Sequence, residues 1–146
     1  GQVMAVKNKI IMKLMSNEEN VAISRVAAAA FAAQTDITLG ELEDIKVAIS
    51  EAVSNAMIHG YEGGEGIIEF TMSLFEGNLE FVIADFGVGI ENIALARQPA
   101  YSTDPERMGL GFVFMESFMD ELVVQSKLGE GTTVTMIKRC DANRVH

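Results

Sequence analysis

"IIEFTMSLFEGNLEFVIADF", residues 67–86, sets apolar side chains at close to every second position and is interrupted once, by Glu76-Gly77-Asn78. Alternation of this kind turns one face of a strand toward a core. A short turn-forming break between two such runs predicts a β-hairpin. The period is different upstream. Leu42, Ile45, Ile49, Ala52, Val53 and Ala56 form the stripe of an amphipathic helix. A capping box of Thr38 and Glu41 opens that helix, and Gly60, a residue that tolerates positive φ, closes it. A strand over 3–15 and an Ala-rich helix to about Gln34 precede it, with Ser16 as N-cap and Glu19 as the reciprocal partner.

Past the hairpin, "DFGVGI" breaks the second strand and "ENIALARQ" predicts a short helix. Residues 98–108 hold both prolines and no apolar period, so they predict a loop. "GLGFVFMESFMDE" resumes as a helix, and "LVVQSK" and "TTVTMIKR" pair around "LGEG". With no repeat or linker, residues 1–146 are expected to form a single domain. The economical architecture is an α+β two-layer sandwich, a mainly antiparallel sheet with helices on one face.

The chain has 146 residues, 49% apolar and 22% charged, enough for one core. A net charge of −10 argues against a direct nucleic-acid partner, because phosphate binding needs a basic surface. It suits a basic protein partner and suits plain solubility equally. A single cysteine, Cys140, makes no internal disulfide and fits a reducing compartment. The longest apolar run, Val26 to Ala33, is too short to span a bilayer, and no secretory signal pattern opens the sequence. A cytoplasmic protein with no membrane partner is expected.

The polar residues of the second helix raise the functional question. Glu51, Asn55 and His59 recur at four-residue intervals and share one helix face. A solvated face explains such a seam by itself. Asp85 beside glycines serves equally as a turn initiator, and a lone Gly-x-Gly is more often a turn than a ligand loop. What shifts the balance is the order: "EAVSN" on a helix, "DFGVG" after a strand, "GLG" opening a helix, "GTT" entering a strand.

In that order and spacing the chain resembles the Bergerat-fold ATPases. "SEAVSNAMIHGY" is similar to their N box, and "DFGVGI", "MGLGF" and "GTTV" to their three glycine boxes. Within the group, "HGY", "ARQP" and "GLGFVFMESFMDE" look like the anti-sigma factors of the sporulation sigma-F type. The resemblance covers roughly Ser16 to Lys138 and implies an ATP-binding protein serine kinase. Such a protein sequesters a sigma factor, phosphorylates a serine of an anti-anti-sigma factor and forms a homodimer. It implies Glu51 as general base, Asn55 as the Mg2+ ligand, and Asp85 as acceptor for the adenine amino group. Gly87 and Gly89 would let the backbone approach the base, and Gly109 and Gly111 would bind the phosphates at a helix N-terminus. Thr133 would support the adenine end, and Arg107 in the lid would meet the γ-phosphate. The helix around Arg25 resembles the partner-binding and dimer region. His59 is placed to interact with the helix dipole, and also within reach of a phosphate. Met108, Met115 and Met119 suggest a peptide groove, but the helical spacing of Met115 and Met119 favours core filling. Two features depart from the pattern: the segment from Pro99 to Gly109 is shorter than the usual lid, and Phe86 stands where charged residues are common. The alternative is an ATP-binding anti-sigma module, or a sensor-kinase-like ATPase domain, without serine kinase activity.

Overall fold

The computed structural model describes residues 5–98 and 108–140. Strand β1 (Val6–Met15) leads into helices α1 (Glu19–Ala32) and α2 (Leu39–Asn55), and α2 runs directly into a π-helical turn, Ala56–Gly60. Strands β2 (Ile67–Phe75) and β3 (Asn78–Asp85), short helix α3 (Ile93–Ala96), helix α4 (Met108–Phe118), and strands β4 (Glu121–Lys127) and β5 (Gly131–Arg139) follow. The five strands form one sheet in the order β1-β2-β3-β5-β4, with every pairing antiparallel. The expected α+β two-layer sandwich is the observed one.

The β2–β3 hairpin pairs Phe75 with Asn78, leaving Glu76-Gly77 as a two-residue turn with Gly77 at φ 79°. Alternation then sends Ile68, Phe70, Met72, Leu79, Phe81 and Ile83 to the helix-covered face, where all are buried. Ile45, Ile49 and Val53 of α2 and Phe112 and Met115 of α4 complete the core. Met115 and Met119 are buried in it, and Met108 packs against it. A buried lysine fixes the far end of α4: Lys138 Nζ donates to the Phe118 carbonyl at 2.8 Å, a cation at the negative end of the helix.

The capping box at Thr38 forms in full, with the Glu41 N–H donating to Thr38 Oγ1 and Thr38 N–H to Glu41 Oε1. The box expected at Ser16 does not form. The Ser16 N–H is bonded to the Gly66 carbonyl, and α1 starts three residues later, behind Glu18 in helical geometry. The Asn20 and Val21 amides find the Asn17 and Glu18 carbonyls, so the first turn is satisfied by backbone alone. Gly60 also has a different reason from the expected one. Positive φ occurs beyond it, at Glu62 and Gly63. Gly60 is a glycine because a Cβ there would lie 2.6 Å from the Asp85 carboxyl carbon.

Candidate functional site

The C-terminal half of α2 and the π turn form one wall of a recess whose opposite wall is the end of β3 and β5. Among the described residues it is lined by Asn55, His59, Gly60, Asp85, Gly89, Met108, Thr132 and the apolar residues between them. Its empty volume, counted to the open mouth, is about 380 Å3.

Asp85 ends β3 with 6% of its surface exposed. Its carboxylate accepts the N–H of Gly87 at 3.0 Å and the backbone N–H of Thr132. Burial pushes its carboxyl above the usual carboxylate range, and the two amide donors pull it partly back. The loop that follows is clamped on both sides. Val88 N–H donates to the Gly60 carbonyl at 2.9 Å, and the Val88 carbonyl accepts from Gly129 N–H at 2.7 Å. Ile90 N–H donates to Ser126 Oγ at 2.7 Å. Such closeness requires the glycines: a Cβ on Gly87 would fall on the Gly60 carbonyl oxygen, and Gly89 stands at φ 76° with Lys127 carbonyl against it.

The second glycine pair lies in the first turn of α4, where both residues are buried. Gly109 has room for no side chain beside the Gln98 carbonyl. A Cβ on Gly111 would stand 3.3 Å from Asn55 Nδ2 and 3.6 Å from Glu51 Oε1. The structure thus brings together Glu51, Asn55 and Gly111, three residues from two motifs sixty positions apart in sequence. Asn55 Nδ2 is buried and has no hydrogen-bond partner among the described residues. A buried amide without a protein partner is costly, and it fits a side chain whose partner is a ligand. Among the described residues no cluster of three or more His, Cys, Asp or Glu is placed to hold a metal. An amide oxygen at this position would suit a cation that takes its other ligands from phosphate oxygens and water.

Other expected residues fall elsewhere. Strand alternation turns Thr133 to the other face of the sheet, and Thr132 lines the recess. Thr132 Oγ1 lies 2.8 Å from Ser126 Oγ. Arg25 lies outside the recess and donates from Nη1 to Ser50 Oγ at 3.1 Å, tying α1 to α2. Arg107 lies outside the described residues. His59 lines the recess. The sequence reading missed Gly60, Tyr61, Ser126 and Thr132. "HGY" and "GTT" marked the neighbourhood of three of them, and nothing local marked Ser126.

Comparison with known proteins agrees with this geometry. The family model of the histidine kinase-like ATPase domain matches residues 14–138. An anti-sigma F factor from Clostridium acetobutylicum is 44% identical over 135 residues, covering 91% of this chain and 94% of that protein. Its counterpart from Anoxybacillus flavithermus is 46% identical, covering 90% and 92%. Among solved structures, the RsbU and RsbW domains of a Mycobacterium tuberculosis protein superpose with a TM-score of 0.64 at 23% identity, covering 91% of this chain and 32% of that longer one. The mycobacterial sensor histidine kinase MprB gives 0.57 at 14% identity, covering 90% and 99%. At these identities the solved structures speak for the fold. The relatives speak for the family: this chain belongs to the anti-sigma F factors, built on a histidine kinase-like ATPase domain.

Proposed function

We propose that this chain is an ATP-dependent protein serine kinase that also binds and inhibits a sporulation sigma factor. Its phosphorylation substrate is a serine of an anti-anti-sigma factor, which in its unmodified state releases the sigma factor. The observation that carries the kinase half is the meeting of Glu51 and Asn55 with Gly111 across the α2–α4 boundary. The family membership carries the anti-sigma half.

Bound magnesium–ATP would supply the transferable phosphoryl group and the cation that neutralises its oxygens. The chain's own residues supply position and proton transfer. Asp85 would accept the hydrogen bond of the adenine amino group, with Thr132 beside it in the recess. Gly87 and Gly89 are assigned to the base-binding loop, whose close packing on Gly60 and on the Lys127 carbonyl admits no Cβ. Asn55 offers its amide oxygen to Mg2+, and the first turn of α4, at Gly109 and Gly111, offers N–H groups to the phosphates. Glu51 stands one helical turn from Asn55, outside the recess proper, where it receives the proton of the serine hydroxyl. Arg107 and His59 are assigned to the phosphate end. Arg25 is assigned to the protein-binding surface, with residues 1–146 working as one unit in a cytoplasmic homodimer. Among the described residues no helix is long and apolar enough to cross a membrane.

Purification of the tagged protein from its source cells, with mass spectrometry of what stays bound, tests both halves. Recovery of a sigma factor with ATP or ADP is the expected result. Preparations that carry neither contradict the proposal.

A further inference from the structure

The β2–β3 ladder stops early at the end that bears Asp85. Its last pairing is Glu69 with Ala84, yet the register, carried two residues further, would set Ile67 against Phe86. In place of that pair stands a side chain from a third element. Tyr61 Oη donates to the Ile67 carbonyl and accepts the Phe86 N–H at 2.8 Å. One hydroxyl thus replaces a ladder hydrogen bond and holds the two strands apart. A phenol suits this, since it has one proton to give and lone pairs to receive. Gly66 leaves the space for the ring: a Cβ there would fall on it.

The wedge is anchored to the recess wall. Tyr61 N–H closes the π turn on the Ala56 carbonyl at 3.0 Å. The preceding residue, Gly60, packs on the Asp85 carboxylate and accepts the Val88 N–H. Residues 60 and 61 therefore grip the base-reading loop at the carboxylate itself and at the amides of Phe86 and Val88. We propose that Tyr61 is a positioning residue for base recognition: its hydroxyl splays β2 from β3 and so sets the direction in which Asp85 presents its carboxylate. The inference rests on the proposed reading of Asp85 as the adenine acceptor.

Tyr61→Phe keeps the ring and removes the wedge. The test is titration of wild type and variant with ATP and with inosine triphosphate, which carries an oxygen where adenine carries its amino group. Wild type is expected to prefer ATP by at least about ten-fold, the weight of a charged hydrogen bond. In Tyr61→Phe, ATP affinity should fall roughly three- to ten-fold while inosine triphosphate affinity holds, narrowing the preference by that factor. An unchanged preference, or an equal loss for both nucleotides, overturns the role of Tyr61 and leaves that of Asp85 standing. A wild type without preference overturns both. If Tyr61→Phe does not fold, hydrogen exchange in the wild-type protein decides. A Phe86 amide protected without nucleotide, and slowed further by ATP but not by inosine triphosphate, supports the wedge. Free exchange at Phe86 overturns it.

Discussion

Asp85 is held where a carboxylate is uncomfortable, at a buried strand end with two backbone amides as its partners. Burial outweighs those amides and raises its pKa, so the folded chain binds that proton more tightly than the unfolded chain does. The sign follows. The stability contributed by this proton is complete below the ordinary aspartate range and is lost as pH rises through the raised value. Asp85→Asn cannot titrate, so the unfolding free energy of wild type minus that of the variant should fall with rising pH and then level off. Urea denaturation of both proteins, without nucleotide, across the acidic range to neutrality checks this. A difference that is flat or grows with pH contradicts it. At this scale the sequence was a good guide to residue type and a poor one to parity. Asp85, Asn55 and Glu51 stood out by spacing, and each lies in or beside the recess. Which threonine of "GTT" faces inward depends on where β5 begins its alternation, and Gly131 at φ 113° sets that start. No local signal in the sequence reports it.

Elements were legible where their signals are local. The Thr38–Glu41 box, the β2–β3 hairpin and the final hairpin depend on neighbours within a few residues, and all form, with Asn78 of the expected break taken into β3. The start of α1 was misjudged because Ser16 has a tertiary use, its amide closing onto Gly66. The π turn was not legible either. It places Gly60 against Asp85, a contact between residues 25 apart in sequence that only the packed fold defines. The two explanations of Gly60 make opposite predictions. A glycine needed for positive φ is replaced better by Asn than by Ala, since Asn tolerates that region. A glycine needed for close approach is replaced better by Ala, the smaller side chain. We expect Gly60→Ala to lose about 1–3 kcal/mol by overpacking and Gly60→Asn to lose more, measured by denaturant unfolding. The reverse order would return Gly60 to the role of a helix terminator.

At the scale of the whole molecule, one sheet and one helical layer bring residues from four separate motifs to a single recess. The seam on α2 is where the molecule departs from a plain two-layer fold. Its carboxylate and amide lie against a glycine of α4, where a structural surface would gain more from a side chain that fills the space. On the proposed reading, Glu51 takes the serine proton during phosphoryl transfer. Glu51→Gln keeps the size and hydrogen-bonding shape but has no basic oxygen pair. Single-turnover transfer from labelled ATP to the anti-anti-sigma partner, with nucleotide affinity measured on the same preparation, tests the claim most directly. The expected result is a loss of about 10²–10⁴-fold in transfer rate with nucleotide affinity nearly unchanged. Wild-type transfer rates in Glu51→Gln would contradict it and make the seam an ordinary helix surface.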